Sequence, residues 1–288
     1  MASAVEIEAG DERVVLLVVA HADAPTLFLG GTVARWADAG WRVVVVRVTD
    51  DRWDSVGCDE ASTIAANRDG FERAMTVIGV AEIVELDYPT DRLADVSEVA
   101  LREHIIRAVR THRPYALVTF DQSAMYGEDN QDHVQVAAAT DEAFWTAQFD
   151  LHHPEHLAAG LDVHGVFERW WFGRELTRVT DVVDISSTIE RKIDAALAHE
   201  RALRNFIHQL RLQARTGGWR VPLLDDAQRG DLRTVIDPLL RRQAEVVGSR
   251  HGLAMAEEFR VSRFGGLGSL LQAFGERIDG DNPQGATT

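Results

Sequence analysis

The sequence predicts an α/β fold: a Rossmann-like layered sandwich with a mostly parallel sheet and helices on both faces, plus a C-terminal helical extension. The prediction depends on two observations. Short apolar runs rich in valine alternate with longer segments whose apolar residues recur at helical spacing. The runs also lack polar alternation, which is typical of strands that are covered on both faces. Strands that alternate with helices form βαβ units, and therefore a parallel sheet.

The first half of the chain, over about residues 10–150, contains the regular part of this pattern. We predict strands at residues 13–20, 41–48, 81–86 and 115–120. We predict helices at residues 26–39, 61–78, 97–111 and 131–147. Gly40 and Gly79 follow the first two helices, where glycine commonly ends a helix.

The second half is less regular. Residues 150–165 form a polar, His-rich insertion, and residues 166–172 and 179–185 read as further strands. Residues 187–215 have one apolar face and predict a single long helix. The whole chain is interpreted as one domain over residues 1–288, with a core at about 10–200, an extension at about 201–278 and a disordered tail at 279–288.

Composition excludes several classes of partner. The net charge of −16 argues against nucleic acid or an anionic membrane surface. A single cysteine, Cys58, excludes an internal disulfide framework and a multi-Cys zinc site. Residues 1–10 lack the pattern of a signal segment, and no apolar run has the length of a spanning helix. We therefore expect a cytoplasmic protein that acts on a small-molecule substrate. The sequence leaves open whether the protein forms a homo-oligomer.

Polar residues are dense in the segments that follow three of the predicted strands. The first holds His21 and Asp23, the second spans residues 49–55, and the third ends in Asp132 and His133. Loops at the carboxyl ends of parallel strands lie on one edge of the sheet, so these side chains can converge. Two imidazoles and a carboxylate suit zinc or another divalent metal with an open position for water. A carboxylate that is not a ligand could then act as general base.

These motifs resemble a known family. Ala20-His21-x-Asp23 before Gly30-Gly31, with Asp132-His133 at the start of a later helix, is similar to the PIG-L/LmbE-like N-acetylglucosaminyl de-N-acetylases. The resemblance covers about residues 13–200, because it extends to Arg68, Lys192 and His199.

The resemblance implies a role for each matching residue. His21 and His133 would be metal ligands, and Asp23 the general base. Asn130 stands where some members carry a histidine that polarises the substrate carbonyl, which an amide N–H could also do. Arg68 and Asp132 would contact substrate; the alternatives are a structural ion pair for Arg68, and helix capping or support of His133 for Asp132.

The first motif departs from the family at positions that matter. The family sequence is Ala-His-Pro-Asp-Asp-Glu, whereas this chain has Ala22, Ala24 and Pro25 at the proline, second aspartate and glutamate. The second aspartate is a metal ligand in the family, and the methyl group of Ala24 cannot coordinate a metal. Two histidines with waters would hold zinc more weakly than three ligands. The carboxylates that could substitute are those of Asp51, Asp54, Asp129 and Asp132.

Two functional hypotheses follow. The first is a zinc-dependent or other metal-dependent amide hydrolase that removes an acyl group from an N-acyl amino sugar or a related small metabolite. The alternative is a non-hydrolytic binding or accessory protein that retains the fold, and Ala24 and Pro25 are its evidence. The histidines of residues 152–156 also have a metal-like pattern, but they lie in an insertion and are interpreted as structural.

Overall fold

The computed structural model describes residues 2–10, 13–124 and 130–276. Within these residues one mixed sheet has the strand order β1-β7-β8-β6-β5-β2-β3-β4. Its strands are β1 Ser3–Ala4, β2 Val14–Val19, β3 Arg42–Thr49, β4 Glu82–Tyr88, β5 Ala116–Phe120, β6 Glu168–Phe172, β7 Asp181–Asp184 and β8 Ala256–Arg263. Only β8 runs antiparallel to its neighbours β6 and β7, so the predicted mostly parallel α/β fold is confirmed.

Helices cover both faces of the sheet. They are α1 Ala24–Asp38, α2 Glu60–Ile78, α3 Glu98–His112, α4 Gln131–Thr146, α5 Pro154–Ala158, α6 Ile189–Ala198, α7 Glu200–Thr216, α8 Pro222–Arg229, α9 Arg233–Arg250 and α10 Gly268–Phe274. None of the helices in the described part of the chain is long and apolar enough to cross a membrane. The predicted disordered tail lies outside the described residues.

The alternation of side chains along β2 divides the core into two halves. Val15, Leu17 and Val19 pack in the half that includes α1, α2 and α6. Leu16 and Val18 pack in the other half, against α3 and α4. Successive strand residues point to opposite faces, so a strand without polar residues must be buried on both. The central position of β2 places its carboxyl end in the middle of the sheet.

The strand order creates a crevice between β2 and β5. The chain proceeds from β2 outward through β3 and β4, and then returns to place β5 on the other side of β2. Ligands bind at such a reversal point, outside the carboxyl ends of the strands. The segments that follow β2, β3 and β5 meet at this edge.

The predicted long helix at residues 187–215 is wrong in one respect, because the structure divides it into α6 and α7 at His199. His199 has φ −82° and ψ 49°, outside the helical region. Gly70 of α2 packs directly against this break, and a Cβ atom there would lie 2.7 Å from the carbonyl oxygen of Ala198. His199 is buried at this break, and the period of apolar residues in the sequence cannot reveal the interruption.

Helix α1 is also interrupted, at Leu29, where φ is −136° and ψ is 20°. The carboxylate of Glu257, on β8, accepts hydrogen bonds from the backbone N–H groups of Gly31 (3.1 Å) and Thr32 (2.8 Å). Lys192 pairs with the same carboxylate at 2.6 Å. A Cβ atom on Gly31 would lie 2.6 Å from Ile185, so this glycine allows the close packing that Gly30-Gly31 suggests in the sequence.

Candidate active site

A cavity of about 1050 Å³ opens at the carboxyl edge of the sheet. Its lining includes five polar residues from the segments after β2, β3 and β5, which are His21, Asp23, Asp54, Asn130 and His133. The structure thus brings together the motif residues that are more than a hundred positions apart in sequence. The far side of the cavity is formed by α7 and α9.

Two side-chain oxygens lie within hydrogen-bond distance of Nδ1 of the His21 ring. Asp51 Oδ1 lies 2.9 Å from Nδ1, and the other Asp51 oxygen accepts a hydrogen bond from the Ala22 backbone at 3.0 Å. Thr49 Oγ1 lies 3.0 Å from the same ring nitrogen. A carboxylate on one ring nitrogen fixes the tautomer and orients the other nitrogen of a metal-binding histidine. Asp51 therefore orients Nε2 of His21 towards the residues after β5.

The environment of His21 is strongly negative. Burial by itself lowers the pKa of its imidazolium, but the hydrogen bond and charge of Asp51, with the charges of Asp54 and Asp23, raise that pKa to about 10. Burial and the charges of Asp51, Asp23 and Asp91 likewise raise the pKa of Asp54 to about 7, against the opposing charge of His21. The same cause acts on both groups: carboxylates are crowded here with too little positive charge to balance them.

His133 lies in the first turn of α4 and faces His21. The two ring centroids are 5.1 Å apart, and the His133 ring stacks on Phe120 with a centroid distance of 4.0 Å. Asn130, at the N-cap of α4, accepts a hydrogen bond from the Asp132 backbone through its Oδ1 at 2.9 Å. Its Nδ2 lies 3.1 Å from His21 Nε2, so the amide N–H is directed into the site.

Asp23 presents its carboxylate to the cavity. It occupies the N-cap position of α1, yet its side chain forms no capping hydrogen bond. Only its backbone oxygen closes the first turn, accepting from the N–H groups of Thr26 and Leu27. The Asp23 side chain therefore does not cap α1.

Two residues predicted to contact substrate are placed elsewhere. Arg68 forms ion pairs with Glu85 (2.9 Å) and Asp87 (2.7 Å) beside β4, and it is not part of the cavity lining within the described chain. Asp132 is buried, and its carboxylate accepts from the backbone N–H groups of Asp91 (2.6 Å) and Leu93 (3.2 Å). It fixes the segment after β4 and lies 3.9 Å from His21 Nε2. Within the described chain neither side chain lines the cavity. Arg68 has the ion pairs of its structural alternative, whereas Asp132 holds the segment after β4, which is neither of the two alternatives named for it.

Position 24 has no side-chain atom that could bind a metal. Ala24 is fully buried in the half of the core that contains α1. Of the other carboxylates named from the sequence, Asp51 and Asp54 both lie beside His21, and Asp129 falls outside the described residues. A ring nitrogen of His21 and one carboxylate oxygen each from Asp51 and Asp54 lie within 4.8 Å of one another.

Sequence reasoning missed the role of three residues. Asp51 was one of several candidate carboxylates, and only the fold pairs it with His21. His199 is buried, and its Nε2 has no hydrogen-bond partner among the described residues. Burial lowers the pKa of His199 to about 4, against the charges of Asp23 and Asp51. Glu257 lines the cavity from β8, and no motif in the C-terminal segment indicates it.

Comparisons with known proteins agree with the fold and the motifs. Residues 16–144 match the family PIG-L, described as GlcNAc-PI de-N-acetylase. The chain is 28% identical to a diacetylchitobiose deacetylase of Thermococcus kodakarensis over 66% of this chain and 70% of that protein. It is 30% identical to 1D-myo-inositol 2-acetamido-2-deoxy-alpha-D-glucopyranoside deacetylase 1 of Catenulispora acidiphila over 51% of this chain and 52% of that protein, so the match spans about half the length of this relative.

A solved structure extends the likeness of the fold beyond the matched region. The N,N'-diacetylchitobiose deacetylase of Pyrococcus horikoshii superposes with a TM-score of 0.71, covering 89% of this chain and 85% of that chain at 22% identity. Residues 16–144 therefore resemble the PIG-L family in sequence, and the solved structure shows that the fold is similar over most of the chain.

Proposed function

We propose that this protein is a metal-dependent amide hydrolase that removes the acetyl group from a small molecule containing N-acetylglucosamine. One observation carries the proposal: His21, His133 and Asp23 share the end of a cavity. The names of the two curated relatives add support, since both are deacetylases of acetamido sugars. The accessory-protein alternative has nothing in its favour beyond the changes at Ala24 and Pro25.

The donor set suits a divalent cation. Two imidazole rings lie 5.1 Å apart, one of them oriented by a carboxylate, and further carboxylates surround them. Nitrogen and oxygen donors of this kind fit zinc. His21 and His133 would hold the metal, which when bound supplies polarisation of the amide carbonyl and a lower pKa for water.

The chain's own residues would carry the proton transfers. The Asp23 carboxylate, open to the cavity, would accept a proton from the attacking water and deliver a proton to the leaving amine. The Asn130 amide would donate an N–H to the acyl oxygen as negative charge develops there. Asp51 would keep His21 in the required orientation.

The size of the cavity favours a substrate larger than a single acetamide group. Pockets for small molecules commonly have volumes of about 300–1000 Å³, and this cavity slightly exceeds that range at about 1050 Å³. Phe206 of α7 and Leu239 and Gln243 of α9 line it away from the motif residues. We assign these helices to recognition of whatever is attached to the acetylated sugar.

The proposal is tested by measuring acetate release from N-acetylglucosamine, N,N'-diacetylchitobiose and an N-acetylglucosaminyl inositol, with and without added zinc. We expect release that a chelator abolishes and zinc restores. Asp23→Asn should lower kcat by at least about 100-fold while the zinc content is unchanged. Arg68→Ala is the control, because it removes a charged residue outside the cavity and should leave kcat within about twofold. Full activity in Asp23→Asn, or no release from any of the three compounds, would contradict the proposal.

A further inference from the structure

The site has the histidines of a metal centre but lacks a donor at position 24, and the loop after β3 contains the residue that can replace it. We infer that Asp54 supplies the carboxylate ligand of the metal, in place of the residue at position 24. This inference rests on the proposed metal-dependent function. The ligand would then come from a different loop, because Ala24 lies after β2 at the start of α1, whereas Asp54 lies after β3.

Asp23 is assigned above as the general base, and the carboxylates of Asp51 and Asp132 are already engaged. Asp51 accepts from the Ala22 backbone and contacts the His21 ring and the buried Arg47, with an Asp51–Arg47 distance of 3.4 Å. Asp132 accepts two backbone N–H groups. Moving either carboxylate onto a metal would break these buried contacts and leave buried N–H donors without an acceptor.

The Asp54 carboxylate differs from those of Asp51 and Asp132 in its contacts. Its carboxylate lines the cavity and forms no hydrogen bond or ion pair with any residue of the described chain. One of its oxygens lies within 4.8 Å of a His21 ring nitrogen. A half-buried carboxylate that lies among other acids and has no hydrogen-bond or ion-pair partner gains from a cation.

The backbone of Asp54 is anchored to α2. Asn67 of α2 donates one side-chain amide to two carbonyl oxygens of the loop, at 2.9 Å to Asp51 and 3.2 Å to Asp54. Ser55 Oγ lies 2.6 Å from Thr63 Oγ1, which ties the next residue to the same helix. A ligand on a segment that is anchored by its neighbours loses little entropy when a metal binds.

The experiment compares zinc binding of the wild type, Asp54→Asn and Asp91→Asn, by zinc content and by competition with a chromophoric chelator. Asp91→Asn is the matched control, because it removes the same charge from an exposed residue of the same cavity. We expect Asp54→Asn to weaken zinc binding by more than about 100-fold. This exceeds the roughly 10- to 100-fold loss that is typical when a residue that only supports a ligand, such as Asp51, is replaced. Asp91→Asn should weaken zinc binding by less than about tenfold.

Two further measurements do not depend on activity. The visible spectrum of the Co²⁺-loaded protein should change in Asp54→Asn and not in Asp91→Asn, because it reports the ligand set. Ala24→Asp combined with Asp54→Asn should regain zinc, since it returns a carboxylate to position 24.

The outcomes separate the inference from the proposed function. A wild type that binds no divalent metal overturns the metal-dependent function and the inference with it. A wild type that binds zinc, with Asp54→Asn unchanged in affinity and in its Co²⁺ spectrum, overturns the inference alone.

Discussion

Two histidine clusters among the residues that the structure describes have the spacing of a metal site, and the fold uses them differently. The first is His21 with Asp51 and Asp54; the second is His153 with Glu155 and His156. The first lies at the carboxyl edge of the sheet, where the ring of His21 has one nitrogen held by Asp51 and the other directed towards the site. Donor proximity is therefore common to both clusters and does not distinguish them.

The second cluster ties the insertion to α3. His156 is fully buried, with Nε2 2.7 Å from Glu103 and Nδ1 3.3 Å from Arg110. Arg110 also donates to the carbonyl oxygens of Ala147 and Phe149. Both ring nitrogens of His156 are thus occupied. The comparison shows that the two clusters differ in position: His21 lines the cavity at the carboxyl edge of the sheet, whereas His156 is fully buried between α3 and the insertion.

The largest effect is expected from His133→Ala. The substitution removes one of two imidazole donors, so zinc content should fall from stoichiometric to background and kcat/KM should fall by at least about 100-fold. Metal analysis and acetate release measure both, and circular dichroism controls for folding. Retention of stoichiometric zinc by this variant would show that His133 is not a ligand.

His156→Ala should affect stability instead. It leaves the buried Arg110 and the half-buried Glu103 without their bridge, which we expect to lower the free energy of unfolding by about 2–3 kcal/mol. Urea denaturation measures the loss, and kcat of the folded variant should remain at the wild-type value. A large fall in zinc content with unchanged stability would reverse the assignment of the two clusters.

Low pH should remove the stabilisation that the second cluster contributes to the fold, because Glu103 becomes protonated. Burial alone raises the pKa of Glu103, but hydrogen bonds from His156 and Arg107 outweigh it and lower that pKa. A lowered carboxyl pKa stabilises the fold above the ordinary glutamate pKa, and the contribution is lost as the pH falls through the lowered value. Denaturation should be measured between about pH 3 and pH 6, which spans the usual glutamate pKa of about 4.3. Over this interval the free energy of unfolding should depend less on pH in His156→Ala than in the wild type.

The smallest effect is expected from His153→Ala. His153 is partly exposed, and its pair with Glu155 at 2.9 Å lies at the surface. Such pairs contribute about 0–1 kcal/mol, so both stability and zinc content should be close to those of the wild type. Loss of a metal equivalent in this variant would show that the second cluster binds metal after all.

Local patterns predicted most of the elements. Valine runs such as β2 and β3 are buried on both faces whatever surrounds them, so they are recognisable as strands. The break at His199 was missed because the apolar spacing continues through it. Strand β8 was missed because its sequence, from Ala256 to Arg263, is polar at most positions, and it pairs only with distant strands.

The sequence by itself determined the order of strands and helices from β2 to α4. It also placed His21, Asp23, Asn130 and His133 after strands whose carboxyl ends must share one edge of a parallel sheet. These properties follow from the period of apolar residues and from the geometry of βαβ units, both of which are local. Which carboxylate contacts His21, and where Arg68 points, was decided by the tertiary structure. Such pairings join residues from different strand ends, and short-range spacing contains no information about them.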